Sequence, residues 1–520
     1  MPRFMLLSGI EFMIRCRGAE RRTKTRPGAW LLGTLLLLQA SASARAADTV
    51  PGLTLIVPTS TGTTALEAAS TASDTLDAVP VATRPSPLGM NRWTEDWSVL
   101  ADPTFRRGIT DDAKYIPLSH DDPYAFLSFG ANLRERVESN SSPSFGVGKN
   151  PRDAYLLQRL QVHVDLHVDQ HWRAFIQLED ERAFWKRTLT MVDQNPLDLR
   201  LAFVERVDHV GNSTIKLRAG RQDFAFDLQR FVSSRDGPNV RQSYDAIWAD
   251  WESKPWRILG FVSQPIQYRD GQPFDDYSSP HLRFSVLRVE RHFAGTNELS
   301  AYYGLYQRDH SVLLDATGRE NRHVIDVRTA GLAGGASWDL EAMGQFGSIG
   351  GKRIAAWAVG SRFGYSFSTV AWAPWLGMQI DAASGDTRKG DGTIGTFNPL
   401  FPNGYYFTLA GYSTYVNVIH VKPLLTLHPT SRLAATAGLG LQWRMTTADA
   451  IYTQPNIPVA NTIGRGGLWT GLYGQVRADY AFTANLAGAV EAVDYVVGKT
   501  IRNAGGRDSQ YLGVEMRAAW

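Results

Sequence analysis

Residues 509–520 read SQYLGVEMRAAW and alternate between two kinds of side chain. The apolar face consists of Leu512, Val514, Met516, Ala518 and Trp520, and the opposite face of Tyr511, Gly513, Glu515, Arg517 and Ala519. A period of two with unlike faces predicts a β-strand that meets different surroundings on its two sides. The pattern is typical of the closing strand of an outer-membrane β-barrel, with Trp520 at a membrane interface, and equally of an ordinary half-buried strand.

The first 46 residues have the organisation of a secretory signal peptide. Basic residues are concentrated between Arg15 and Arg26, an apolar run follows at residues 29–38, and Ala44-Arg45-Ala46 has the small-x-small form of a signal-peptidase site. The apolar run is too short to cross a bilayer as a helix. We predict cleavage after Ala46.

Removal of this segment changes the composition. Cys16 is the only cysteine, so the mature chain would have no disulfide, thiolate metal site or cysteine nucleophile. The segment holds 8 of the 54 Lys and Arg and 2 of the 51 Asp and Glu, which leaves 46 basic and 49 acidic residues and a balance of −3. The basic pI of the whole chain therefore does not indicate nucleic-acid binding.

The remaining chain divides into two parts. Residues 47–120 are predicted to be a low-complexity periplasmic leader, rich in Thr, Ser, Ala and Pro up to about residue 84, and the stretch 91–117 is compatible with packing under or inside a barrel. Residues 121–520 contain many short alternating runs and are predicted to form the outer-membrane β-barrel. The mean hydropathy of −0.23, without a second long apolar run, excludes a helical membrane protein and leaves a β-barrel open.

Alternation is regular from Tyr124 onward. Expected outward-facing sets are Leu127, Phe129, Ala131, Leu133 and Val137, then Leu156, Leu160, Val162, Val164 and Leu166, then Trp172, Ala174, Ile176 and Leu178, then Leu197, Leu199, Leu201 and Phe203. Charged and polar residues lie on the opposite faces, including Asp198, Arg200 and Arg206 in the last segment. A soluble β-sandwich and a transmembrane barrel both produce this pattern, so the connections must distinguish them.

About eighteen such segments occur, and their connections alternate between short and long. Long connections are expected at 139–152, 184–196, 222–242, 268–280, 307–321, 383–411, 446–466 and 498–507, with one short exception at 347–352. Short periplasmic turns and long extracellular loops alternate in this way in outer-membrane barrels. A Greek-key sandwich has no reason to sort its connections. The sequence therefore predicts an all-β, antiparallel, up-and-down transmembrane barrel of about 18 strands in the cell outer membrane.

Arginine is concentrated in residues 216–244, which read KLRAGRQDFAFDLQRFVSSRDGPNVRQSY. Guanidinium groups bind carboxylates in a bidentate manner, so arginines on the inner wall would attract an anionic solute. The candidate pore-lining residues are Arg134, Arg136, Arg159, Arg173, Arg200, Arg218, Arg221, Arg230, Arg235 and Arg241. The alternative is that these arginines pair with inward acids such as Glu179 and Glu181.

Two motifs resemble the alginate export family of outer-membrane barrels. The first runs from Leu199 to Gln222 and includes LRAGRQ, and RDGPNVR follows at residues 235–241. The second begins at Gly385-Asp386 and continues to TFNPLFP at residues 396–402. The resemblance covers roughly residues 124–520. It implies an eighteen-stranded barrel with an arginine-lined constriction for an anionic polysaccharide, in which Arg200 and Arg221 match family constriction arginines.

Other chemistry is weakly indicated. Asp386 and Asp391 lie among glycines in an oxygen-rich loop that lacks the EF-hand pattern, so an ordered loop is favoured over a metal site. His163 and His167 lie on one strand and are expected to face the lumen. Phe397, Leu400 and Phe401 are apolar for an exposed loop, which is expected to fold back onto or into the barrel. No hydrolase, metalloprotease or P-loop motif occurs.

The predicted function is an outer-membrane channel for an anionic polysaccharide or related carboxylated solute, without cofactor or enzymatic activity. The expected partners are that solute, outer-membrane lipid and periplasmic export or assembly proteins, with no nucleic acid. Two alternatives remain: a barrel enzyme acting on lipid or glycan, and a non-conducting barrel that serves adhesion or assembly.

Overall fold

The computed structural model describes residues 84–106, 108–148, 151–293 and 297–520. Within these residues, eighteen long strands pair antiparallel with their neighbours in sequence, and the first pairs with the last to close a barrel. The strands are β1 (Phe126–Asn140), β2 (Asp153–His167), β3 (Trp172–Phe184), β4 (Asn195–Val210), β5 (Ser213–Gln222), β6 (Tyr244–Ser253), β7 (Trp256–Pro265), β8 (Leu282–His292), β9 (Glu298–Val312), β10 (Thr317–Ala333), β11 (Ala336–Ile349), β12 (Lys352–Ser366), β13 (Trp375–Ala383), β14 (Val418–Thr430), β15 (Leu433–Trp443), β16 (Trp469–Ala481), β17 (Leu486–Val497) and β18 (Ser509–Ala519). The predicted architecture is confirmed.

Short elements lie outside these eighteen strands. They are the 3-10 helices Arg92–Thr94, Ser98–Ala101, Pro103–Phe105 and Pro143–Gly146, the α-helices Asp111–Lys114 and Lys499–Asn503, and the two-residue strands Ile116–Pro117, Thr393–Ile394, Tyr452–Thr453 and Ile457–Pro458. In the part of the chain that is described, no helix has the length and apolar character of a membrane span. The predicted signal peptide at residues 1–46 lies outside the described residues.

The two faces of the wall match the alternation in the sequence. On β18, Leu512 and Val514 are 50% and 41% exposed on the outer face, whereas Glu515 on the inner face is 3% exposed. Strands β1, β2 and β3 follow the same rule over most of their length, with Phe126, Leu157 and Phe175 as apolar residues that face inward. An apolar outer band and a charged interior are the arrangement that a lipid bilayer requires of a barrel.

Strand β4 departs from the prediction in part of its length. Leu201 and Phe203 were expected on the outer face, but they are 2% and 4% exposed and pack inside against Phe175. The pairing shifts between Gln177↔Leu201 and Leu178↔Leu199, so Arg200 is an extra residue at a β-bulge. One extra residue moves all later side chains to the opposite face. The inward assignment of Arg206 is therefore wrong: this residue is exposed on the outer face.

The connections at one end of the barrel, which we call the turn end, are short, and most of those at the other end, the loop end, are long. The eight connections at the turn end span at most eight residues. Of the nine connections at the loop end, the 313–316 and 350–351 links are short and the other seven are long. The prediction of a long connection at 307–321 is wrong. Strand β9 continues to Val312 and β10 begins at Thr317, so only residues 313–316 connect them. Strands that extend beyond the bilayer face water on both sides and lose apolar alternation, so their sequence resembles a loop.

The described part of the predicted leader is packed against the barrel. Arg92 is buried and donates hydrogen bonds to the carbonyl oxygens of Ala131 on β1 (3.1 Å) and of Trp520 (2.8 Å). The Trp93 ring packs inside with Phe203, and Ile116–Pro117 pairs with the start of β1. We call residues 84–117 the plug segment. Packing against and inside the barrel is the arrangement with which the stretch 91–117 was compatible from its sequence.

Candidate functional site

Two loops from the loop end, residues 223–243 and 384–417, fold into the barrel and join there. The amide of Phe401 donates to the carbonyl of Phe231 (2.9 Å), and the amide of Asn403 donates to the carbonyl of Gln229 (3.1 Å). Phe397, Leu400 and Phe401 are buried in one apolar cluster with residues of both loops and of the inner wall. The prediction that this apolar segment folds back into the barrel is confirmed. We call these two segments the inner loops.

Backbone carbonyls of the first inner loop are held by wall arginines. Arg134 donates to the carbonyl oxygens of Asp236 (2.7 Å) and Pro238 (3.2 Å). Arg159 donates to the carbonyl of Asn239 (2.8 Å) and to the carboxylate of Asp236 (2.8 Å). Guanidinium groups present several donors in a fixed fork, which suits them to such clusters of acceptors. These two arginines therefore position the loop.

Most of the other predicted arginines are ion-paired inside the barrel. Arg136 pairs with Glu138 (2.6 Å), Glu491 (3.0 Å) and Glu515 (3.0 Å), Arg173 with Asp165 (2.5 Å), Arg200 with Asp223 (3.0 Å), Arg218 with Glu205, Arg230 with Asp339 (2.5 Å) and Glu341 (2.8 Å), and Arg241 with Asp223 (3.5 Å). Their charges are largely compensated by these acids. This arrangement corresponds to the charge-pairing alternative raised by the sequence.

Arg221 does not line the lumen. Its register partners, Ala202 on β4 and Asp245 on β6, lie on the outer face, and its guanidinium pairs with Asp245 (2.9 Å). The ladder between β5 and β6 is continuous up to Gln222, so no bulge turns the side chain inward. The inward position that the resemblance implied for Arg221 is therefore corrected. Arg200, the other matched arginine, is 4% exposed and lies inside.

Arg235 is the exception among the arginines of the first inner loop. Arg230 and Arg241 are buried, whereas the Arg235 side chain is partly exposed. Its guanidinium lies 5.7 Å from the ring centroid of Phe401, and within the described residues no carboxylate oxygen lies within 4.0 Å of it. Arg235 therefore offers an uncompensated positive charge at the junction of the inner loops.

Several luminal cations were not predicted from the sequence, and two of them have no carboxylate partner among the described residues. Arg362 on β12 and Lys422 on β14 flank Gln379 in one row across three paired strands. Lys422 donates to the carbonyl of Phe407 (2.8 Å), and neither cation has a carboxylate partner within 4.0 Å in the described chain. The sequence did contain a signal for Arg362. Trp357, Val359 and Phe363 alternate on the outer face of β12, and this alternation places Arg362 on the inner face.

The weak metal and histidine candidates do not assemble into a site. The Asp386 carboxylate accepts from the Arg388 amide (3.2 Å), and that of Asp391 accepts from the Thr393 amide (2.8 Å), so each caps its own turn. Burial, with added repulsion from Asp449, raises the pKa of Asp386. His163 stacks on Phe175 and His167 on Phe126, at separate places on the inner wall.

Comparison with known proteins agrees with this geometry. The sequence profile described as alginate export matches residues 125–515, most of the chain and all eighteen strands except the last residues of β18. The chain belongs to the alginate export family. It is therefore an outer-membrane β-barrel of a channel-forming type, and the turn end is periplasmic and the loop end extracellular. No match was found among curated protein sequences.

Solved structures with the same fold are porins. A BenF-like porin from Pseudomonas fluorescens Pf-5 aligns with a TM-score of 0.51 and 11% identity, over 76% of this chain and 99% of the porin. Pseudomonas aeruginosa OccK2 (OpdF) aligns with a TM-score of 0.50 and 12% identity, over 76% and 98% of the two chains. Its complex with glucuronate aligns with a TM-score of 0.50 and 12% identity, over 76% and 96%. These similarities concern the fold.

Proposed function

We propose that this barrel passes an anionic saccharide or a related carboxylated solute, and that Arg235 is the main contact for the carboxylate. The observation that carries the proposal is the state of Arg235: partly exposed, without an acidic partner within 4.0 Å in the described residues, and placed where the inner loops meet. A guanidinium in this state can bind a carboxylate in a bidentate manner without first breaking an ion pair.

The cations around Arg235 support the same solute class. Arg134, Arg362 and Lys422 also lack a carboxylate within 4.0 Å in the described residues, so three further buried cations carry charge that no direct ion pair neutralises. Buried cations raise the local potential for an anion even where they do not touch it. Weak, successive attractions of this kind let a solute enter and leave.

The similar barrel OccK2 was crystallised with glucuronate, which is a carboxylated sugar. The arginines of this chain are the basis for proposing the same class of solute here. Outer-membrane lipid contacts the apolar outer face, and periplasmic export or assembly proteins are proposed as further partners at the turn end. No enzymatic activity is proposed. A barrel enzyme acting on lipid or glycan gains no support from the luminal arginines.

One observation favours a second candidate, a non-conducting barrel that serves adhesion or assembly. The plug segment and the inner loops both occupy the lumen, and Arg241 of an inner loop donates to the carbonyl of Met90 in the plug segment (2.9 Å). Contacts of this kind restrict the passage. Conductance of the purified protein in a planar bilayer separates the two candidates, because only the channel conducts ions.

Arg235→Ala is expected to lower the permeability of anions relative to cations by roughly fivefold, because one charge near a solute in water contributes about 1 kcal/mol. The measurement is the reversal potential of single channels in a salt gradient, with glucuronate as competing solute. Arg235→Lys should retain most of the selectivity, since the charge remains.

Arg319→Ala is the matched control. Arg319 is an arginine at the extracellular end whose side chain is 62% exposed on the outer face, where it pairs with Asp309 (3.6 Å). Its replacement should leave the selectivity of the channel unchanged. Equal selectivity of Arg235→Ala and the unaltered protein would show that Arg235 is not the anion contact, and absence of conductance in the unaltered protein would overturn the channel itself.

A further inference from the structure

Three aspartates meet at the extracellular rim of the barrel. Asp198 lies near the start of β4, and Asp275 and Asp276 lie in the 266–281 loop. One carboxylate oxygen of each lies within 4.8 Å of the others. We call Asp198, Asp275 and Asp276 the rim triad. The loop is held against β4 by two hydrogen bonds, from the Phe274 amide to the carbonyl of Leu197 (3.0 Å) and from the Asp276 amide to the Asp198 carboxylate (3.1 Å).

The charge of the rim triad is compensated mainly by backbone amides, because its carboxylates accept hydrogen bonds from the amides of Leu199 (2.6 Å), Arg269 (2.9 Å) and Gln272 (3.0 Å). Among the described residues, the only cation within 4.0 Å of these carboxylates is Arg221, whose Nη1 lies 3.9 Å from Asp198 Oδ1 and which makes its closer pair with Asp245 (2.9 Å). Arg269 of the same loop stacks on Tyr277 instead. Burial, with a smaller contribution from the Asp198 carboxylate, raises the pKa of Asp276 to about 6. Three carboxylates this close repel one another unless a cation lies between them.

Two buried oxygen atoms, one beside the rim triad and one within it, also lack a donor. The Asn195 carboxamide is 5% exposed, and its Nδ2 donates to Asp276 Oδ2 (2.7 Å). Its Oδ1 is buried and has no hydrogen-bond partner, and the same is true of Asp275 Oδ1. A buried acceptor without a donor costs free energy that an unaccounted cation or water would recover. The Asn195 oxygen belongs to an uncharged side chain, so it is a second observation, independent of the acidic charge, that points to a ligand.

We propose that the rim triad and Asn195 bind a calcium ion that fastens the 266–281 loop to β4. All the available donors are oxygen atoms, and no His or Cys contributes, which favours a hard cation over zinc or copper. Calcium binds carboxylate and amide oxygens at about 2.3–2.6 Å, so opposite ligands stand roughly 5 Å apart, close to the spacing of these oxygens. Magnesium requires shorter distances and a stricter octahedron.

Fastening this loop has a consequence for the lumen. Tyr268 of the loop accepts a hydrogen bond on its hydroxyl from the amide of Ser243, the last residue of the first inner loop (2.8 Å). The calcium ion therefore stabilises both the rim and the base of that inner loop. The site does not depend on which solute the channel passes.

The test is calcium titration of the purified full chain in detergent, after treatment with a chelator. Affinity is expected in the range of about 10⁻⁴–10⁻³ M, as for extracellular calcium modules. Millimolar calcium should raise the midpoint of thermal unfolding by roughly 2–4 °C, and magnesium at the same concentration should raise it less. Luminescence of bound terbium gives a second readout that does not depend on unfolding.

The test variant combines Asp275→Asn and Asp276→Asn. The matched control is Asp270→Asn, because Asp270 is an exposed aspartate of the same loop. The double variant should lose the calcium shift and the terbium signal, while the control keeps both. Without calcium, the double variant should be at least as stable as the unaltered protein, because the repulsion is relieved. A calcium shift that persists in the double variant, or no shift in the unaltered protein, would overturn the proposal.

Discussion

Arg136→Ala is expected to destabilise the barrel by about 3–5 kcal/mol, the cost of leaving a buried carboxylate without its cation. Arg136 is 1% exposed and contacts Glu138 on its own strand, Glu491 on β17 and Glu515 on β18. These contacts cross the seam where the first and last strands close the barrel. Loss of the guanidinium therefore weakens the closure itself.

Most of the expected destabilisation comes from Glu138, which is left without a cation. Glu491 and Glu515 keep Arg477 and Arg517 as partners, whereas Arg136 is the only cation within 4.0 Å of Glu138 in the described residues. The second-site change Glu138→Gln should therefore restore much of the stability of Arg136→Ala, because it removes the unpaired charge. Restoration by that change distinguishes a charge effect from simple loss of packing.

The measurement is the temperature at which the folded form, which migrates faster on a detergent gel, disappears. Arg206→Ala serves as the control, since Arg206 forms an exposed pair with Asp208 on the outer face, and such pairs contribute little. Its unfolding temperature should match that of the unaltered protein. If Arg136→Ala unfolded at that same temperature, the network around Glu138 would not stabilise the seam.

Arg92→Ala combined with Trp93→Ala is expected to release the plug segment and increase single-channel conductance. The Trp93 indole donates to Asp223 (2.9 Å), and the Arg218 guanidinium lies 4.0 Å from the centroid of its ring. Arg92 adds two hydrogen bonds to main-chain carbonyls. Loss of these contacts should cost about 3 kcal/mol or more, which changes the ratio of docked to released plug roughly a hundredfold.

Planar-bilayer recording gives the readout, as conductance and the fraction of time spent open. Thr94→Ala is the matched control, because Thr94 is the next residue and its side chain is exposed. The control should behave like the unaltered protein. Unchanged conductance in the Arg92 and Trp93 variant would mean that the plug segment does not obstruct the passage.

Much of the wall could be predicted because a bilayer imposes the same rule on every strand. Leu512 and Glu515 take opposite faces whatever the neighbouring strands are, since lipid and lumen differ along the whole barrel. The prediction failed at Leu201, where a bulge at Arg200 shifts the phase. A bulge depends on pairing with the neighbouring strand, and alternation within one strand contains no record of it.

The arginines show the same division. Composition and alternation place Arg134, Arg159 and Arg200 on the inner wall, and the structure has them there. Which of them remain free to meet an anion depends on partners far away in sequence, such as Asp236 for Arg159. Arg235 differs from Arg230 only through the folding of the inner loops, which brings acids to one guanidinium and not to the other.

The stretch 509–520 illustrates both sides. Its period of two was sufficient to assign a strand and the face of each side chain, because backbone geometry makes successive side chains point in opposite directions. Its pairing with β1 and the contact of Glu515 with Arg136 came from barrel closure, which joins residues 379 positions apart. Local alternation follows from the covalent backbone, whereas long-range charge pairing follows from which strands the closed barrel brings together.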